Sequence, residues 1–121
     1  MKLKKFFLII CLIVCCNSLY AITAKDIIAY PVPFNPNKQI LSIGTKPGAG
    51  LIIDHSVNVS IYDINGDFII KKSASKKNAI WNGRNKSGRI VKPGLYILKV
   101  EIEEESTGEY IKKIIRILID Y

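Results

Sequence analysis

Val57-Asn58-Val59-Ser60-Ile61-Tyr62-Asp63 alternates apolar and polar side chains. A strand turns successive side chains to opposite faces, so Val57, Val59 and Ile61 would share a core-facing side and Asn58 and Ser60 the other. Asn65-Gly66 follows, a pair that tolerates the positive φ of a tight hairpin turn. The chain then returns over Asp67 to Lys71, with Phe68 and Ile70 expected on one face. The stretch reads as a β-hairpin.

The same grammar extends outward in both directions. The chain is rich in Ile, with Val and Tyr, which suit a pleated, half-buried surface. Upstream, Ile27 to Tyr30 is a short strand stopped by Pro31 and Pro33, Gln39 to Ile43 is a second, and Pro47-Gly48-Ala49-Gly50 is a loop. Downstream, Ser73 to Asn78 is a polar connection, Ala79-Ile80-Trp81 a short strand carrying the only tryptophan, and Asn82 to Gly88 a tight polar loop. Pro93-Gly94 leads into Leu95 to Glu103, where Tyr96, Leu98, Val100 and Ile102 line one face and Lys99, Glu101 and Glu103 the other. After a turn over Glu104 to Gly108, the last element runs from Glu109 to Ile119. Ile111, Ile114, Ile115 and Leu118 fit helical spacing, whereas Ile115, Ile117 and Ile119 fit a strand. Dense β-branched Ile and the absence of a helix cap favour the strand. Short strands at regular spacing give an all-β fold, an antiparallel sandwich of about seven strands.

The first residues do not belong to that pattern. Lys2, Lys4 and Lys5 precede an apolar run of 11 residues, Phe6 to Cys16, and then Leu19-Tyr20-Ala21. These are the parts of a secretory signal, and the run is well short of the roughly 20 residues that span a bilayer. Residues 1–21 are therefore read as a cleaved signal peptide and 22–121 as the domain. Cleavage after Ala24 and lipidation of Cys15 or Cys16 are the alternatives. Cys11, Cys15 and Cys16 all fall in the signal, so the domain has no disulfide, thiolate or Cys metal site. Removing the three lysines from 18 basic residues leaves 15 against 10 acidic, a net +5. Lys71-Lys72 and Lys76-Lys77 come closest to a patch. No aromatic ladder interleaves them, so nucleic acid is not an expected partner.

Four segments together resemble a known family. Tyr30-Pro31-Val32-Pro33-Phe34-Asn35-Pro36 resembles the opening motif of the FlgD-type immunoglobulin-like domain. Val57 to Asp63 with Gly66 resembles its central strand and turn. Trp81-Asn82-Gly83-Arg84-Asn85-Lys86-Ser87-Gly88 resembles its Trp-led loop, and Val91-Lys92-Pro93-Gly94-Leu95-Tyr96 resembles the segment after that loop. The resemblance implies an immunoglobulin-like sandwich. It also implies structural roles for Pro33, Phe34, Asn35, Pro36, Tyr62, Asp63, Gly66, Trp81, Asn82, Gly83, Asn85, Gly88, Gly94 and Tyr96. Asn82 and Asn85 stand where the family usually has Asp, which removes charge that a bound cation would need. Members of that family occur in flagellar hook-capping proteins, and related tails act as type IX secretion sorting signals. Such roles use a scaffold or passenger, so fold carries over more firmly than function.

No residue set reads as a reaction centre, a cofactor site or a metal site. Asp63, Asn65 and Asp67 have alternate oxygens like a calcium loop, but the glycine and the closing Glu are misplaced, so a plain hairpin is expected. His55, the one histidine, reads as a loop residue, and Asn58-Val59-Ser60 as a chance glycosylation pattern. The expected function is a non-catalytic exported interaction module, with a protein partner in the cell envelope or flagellum and no transmembrane span after processing. The rival is a glycan-binding module using the Asn82 to Gly88 loop. An exposed Trp81 beside Tyr30 or Tyr62 would favour the rival, and a buried one the interaction module.

Overall fold

The computed structural model describes residues 23–46 and 55–121. The segment read as a signal peptide, with its cysteines, and the Pro47 to Gly50 loop lie outside the described residues. Among these residues a 3-10 turn over Ala24–Asp26 precedes seven strands: β1 Ile27–Tyr30, β2 Leu41–Thr45, β3 His55–Asp63, β4 Phe68–Ser75, β5 Ala79–Trp81, β6 Gly94–Glu104 and β7 Tyr110–Ile119. Two antiparallel sheets result, ordered β1-β2-β5 and β4-β3-β6-β7. This is the expected all-β sandwich. The last element is a strand, paired with β6 from Gly94↔Ile119 to Glu103↔Tyr110.

Alternation does what the sequence implies. Val57, Val59 and Ile61 on β3, and Tyr96, Leu98, Val100 and Ile102 on β6, are buried against Ile27, Leu41, Ile43 and Trp81 from the other sheet. Without a disulfide the domain depends on this apolar layer, since burial of nonpolar surface is the dominant favourable term in folding.

Four boundaries or facings differ from the sequence reading, each for a local reason. β2 starts at Leu41 rather than Gln39. The amides of Lys38 and Gln39 donate to the Asn35 carbonyl at 3.1 and 2.9 Å, and the Gln39 side chain accepts from the Asn35 amide, so Gln39 is consumed by a turn. β4 runs on to Ser75, because Ser73 and Ser75 alternate with an inward Ala74 opposite Val57. Small polar residues thus continue a strand that composition reads as a connection. Phe68 and Ile70 lie on opposite faces, since a bulge at Ile69 pairs Ile70 with the inward Ile61 and Phe68 with the outward Tyr62. His55 is the first residue of β3, not a loop residue.

One polar side chain pins the corner where β2 ends. Asn78 accepts from the Thr45 amide through Oδ1 at 3.1 Å, and its Nδ2 donates to the Thr45 carbonyl at 3.0 Å and to Ser42 Oγ at 3.2 Å. Gly44, at φ +156, leaves the space: a Cβ there would overlap the Asn78 side chain. Asn78→Ala strands both Thr45 backbone groups away from water and should cost about 1–3 kcal/mol in a denaturant titration. An unchanged midpoint would show that water replaces the side chain.

Candidate functional site

The motif residues gather at the end of the sandwich that carries the Asn65-Gly66 turn. At its centre is Trp81, fully buried at the end of β5. Its ring lies 5.9 Å from that of Phe34, tilted by 36°, and 6.3 Å from that of Tyr96, edge to face at 62°. Phe34 belongs to the β1–β2 connection, and Tyr96 to β6 in the other sheet. The Trp81 indole N–H donates to the Arg84 carbonyl at 2.9 Å, which bends the chain after β5 back over the ring.

The 82–88 loop is built around its own backbone. Asn82 Oδ1 accepts from the Arg84 amide, and Asn85 Oδ1 from the amides of Ser87 and Arg89 at 3.0 and 3.1 Å. Arg84 Nη1 donates to the Gly88 carbonyl at 2.8 Å. Gly83 is buried at φ +77, and its carbonyl accepts from the Val91 amide. Short Asn side chains complete tight loops in this way because they reach the backbone two residues on.

Among the remaining motif residues, Pro33 is exposed beside Phe34, and Pro36 packs on Gly83. The Asn35 side chain accepts from the Asn37 amide at 2.9 Å. In the hairpin turn Asp63 Oδ1 accepts from the amides of Asn65 and Asp67, both at 2.9 Å, and Gly66 sits at φ +87. Tyr62 faces outward, its ring edge-on to Phe68 at 5.7 Å. Gly94 opens β6. Tyr96 Oη donates to the Lys92 carbonyl at 2.7 Å, and burial pushes its phenol above the ordinary value, with the charge of Asp63 adding to the effect.

Trp81, Phe34, Pro36, Gly83 and Tyr96 thus converge, whereas Tyr62 and Gly66 stand apart on the outer face and turn. The side chains of Asn82, Arg84 and Asn85 are engaged with backbone, so the arrangement holds the shape of the loop. No group of three or more metal-binding side chains occurs among the described residues. A hollow of about 430 Å³ opens at the opposite end, lined by His55, Ile102, Glu104, Glu109 and Tyr110 among others. Sequence reasoning missed Asn78 and Lys113, whose ammonium donates to the Ile27 carbonyl at 2.8 Å. The signal for Lys113 was its parity in β7, opposite the inward Val100.

Two tests address this cluster. A Cβ on Gly83 would lie 2.5 Å from Pro36 Cβ, whereas one on Gly88, at a similar φ of +80, meets nothing within 4 Å. Gly83→Ala should therefore cost roughly 1–3 kcal/mol more than Gly88→Ala in matched melts, the excess being overpacking. Because the folded state raises the Tyr96 pKa, its contribution is complete below the unfolded value near 10.0 and is lost as pH rises through the folded one. The urea midpoint should fall above that pH in the wild type, and less steeply in Tyr96→Phe.

Residues 29–117 match the family described as the secretion system C-terminal sorting domain. No curated protein sequence matches the chain. Among solved structures it is similar to PorZ of Porphyromonas gingivalis, described as an essential bacterial surface component of the type-IX secretion system. The TM-score is 0.53 at 22% identity, over 80% of this chain and 12% of that one. At that identity the likeness speaks for the sandwich fold, and the chain spans only a small part of that neighbour's length. The family match supports the secretion side of the resemblance seen in the sequence and lends nothing to the flagellar side. With the matched region running from β1 to within β7, the chain belongs to the secretion system C-terminal sorting domain family.

Proposed function

We propose that this chain is a non-catalytic recognition module of a type IX-like secretion route, which presents a rigid sandwich to a protein of the secretion apparatus in the envelope. The observation that carries this reading is the extent of the family match. It covers both sheets from Ala29 to Ile117, so the matched unit is the whole fold rather than one motif. The protein is of an exported kind. Among the described residues no helix is long and apolar enough to cross a membrane, which leaves strand-built spans unaddressed. Under this reading residues 1–21 direct passage across the inner membrane, and the sandwich is recognised afterwards. Glycan binding through the 82–88 loop has less support, because the aromatic it would stack on, Trp81, is in the core.

The test attaches residues 22–121 to a periplasm-directed fluorescent reporter in a bacterium with a working type IX system and in a secretion-defective strain. Delivery of the reporter to the surface or medium in the first strain alone is the expected result. Retention in the periplasm of both strains, with the fusion folded, would sink the sorting reading.

A further inference from the structure

The outer face of the β4-β3-β6-β7 sheet is polarised along its strands. At the end near His55, the outward residues are Ser56, Asn58, Ser73, Ser75, Glu101 and Glu103, with Lys112 opposite Glu101 and a single exposed aromatic, Tyr110, opposite Glu103 on β7. At the hairpin end the rows change character. Leu95 lies opposite Leu118, Tyr62 lies between Phe68 and Ile97, and Lys99 lies opposite Ile114. Ile64 follows directly on Asp63, the partner of Tyr96, and so continues the Leu95–Leu118 row. Ile64, Phe68, Leu95, Ile114 and Leu118 are between 39% and 63% exposed, and pairing places them in three adjacent rows joined through Tyr62 and Ile97. Contiguous apolar surface of this kind marks an interaction site.

Cations surround it. Lys71 is opposite Ser60, Arg116 opposite Ile97, and Lys86 reaches from the 82–88 loop to 4.4 Å from the Phe68 ring centroid. Ion pairs among the described residues on this face are those of Lys99 and Lys112 with Glu101, at 3.6 and 3.9 Å. No described carboxylate pairs with the Lys71, Lys86 or Arg116 head groups. Asp63 and Asp67 stand in the turn, where Asp63 is spent on backbone amides, and Asp120 follows β7, so the charges on the sheet face itself at this end that make no ion pair are the cations Lys71 and Arg116, with Lys86 reaching over it.

We infer that this end of the sheet docks on an anionic bilayer surface. The apolar side chains would enter the headgroup boundary while the long cationic ones reach anionic headgroups, the division of labour that interfacial elements use. Charge complementarity selects the occupant. A two-fold contact with a second copy would set this cationic rim against itself. The segments outside the described residues are joined at Thr23, Lys46 and His55, near the Ile27↔Thr45 and His55↔Glu104 pairs at the opposite end. The surface is a sheet face rather than a groove, so a planar partner needs no matching shape. This inference stands independently of the sorting reading.

The chain, expressed in full and recovered after export, is floated with phosphatidylcholine vesicles with and without phosphatidylglycerol. Flotation with the anionic vesicles alone, weakened by salt, is expected. Lys71→Gln with Arg116→Gln should reduce partitioning at least roughly tenfold, about the effect of two surface charges. Lys38→Gln with Lys46→Gln, an equal charge change at positions flanking β2 of the other sheet, should leave it unaltered. Ile64→Ser with Phe68→Ser should remove the salt-resistant part while the melting curve shows a folded protein. Equal flotation with both lipids, equal loss in both charge pairs, a dimer abolished by Phe68→Ser, or preference for an acidic protein over vesicles would each overturn the proposal.

Discussion

Closure of the sandwich rests on Phe34. It lies in the connection between two strands of the three-stranded sheet, yet its backbone joins the other sheet. Its amide donates to the Leu118 carbonyl at 2.8 Å, and its carbonyl accepts from the Asp120 amide at 3.0 Å, a short parallel bridge beside Ile119. Its ring meanwhile packs on Trp81, which packs on Tyr96 of β6. One residue thereby links the sheets by hydrogen bonds at the side and by aromatic contact through the middle. Burying an indole removes on the order of 150–250 Å² from water, worth roughly 4–6 kcal/mol before ordering costs. In a domain without a disulfide, that is a sizeable share of the net stability a fold of this size retains.

Closing the middle leaves the edges to be managed. The row Lys72–Val59–Val100–Lys113 crosses the four-stranded sheet with a lysine at each outer strand and valines between them. All four positions face inward by parity. An inward charge on an edge strand discourages pairing with a stray strand, because such pairing would trap the ammonium. Lys113 resolves its own burial by donating to the Ile27 carbonyl, which also ties β7 to β1. The hydrophobic core and the protection of its borders are therefore written into one cross-strand row.

Much of this was legible in the sequence, and the rest was hidden for definite reasons. β1, β5 and the core of β3 read correctly because period-2 alternation or a bounding proline marked them. β6 read correctly because long charged side chains stood opposite Tyr96, Leu98, Val100 and Ile102. The second half of β4 was hidden because Ser73, Ala74 and Ser75 carry the alternation in small residues. The facing of Phe68 was hidden because a bulge shifts the period by one without any glycine or proline to announce it. The Trp81 cluster was foreseen as core, but the partner that reaches it from the far side of the sandwich, Phe34, was visible only as part of a motif. Asn78 escaped because its role depends on Gly44, more than thirty positions away.

The residues that carry the family resemblance are largely turned inward or spent on turns: Trp81 and Phe34 in the core, Gly83 under Pro36, Asn82, Asn85 and Asp63 on backbone amides. A motif of that kind reports how the chain packs, and any sandwich solving the same packing problem would share it. Recognition by another molecule must use what the motif leaves at the surface. On the outer face that remainder is uneven, with carboxylates, hydroxyls and the Glu101-paired Lys112 at one end of the strands, and Ile, Leu, Phe and cations without an ion pair at the other. The framework cannot rearrange easily to hide such a face, since a packed core transmits strain rather than absorbing it. The surface chemistry of this chain therefore lies mostly outside the residues that hold the fold, on side chains whose grouping comes from strand register.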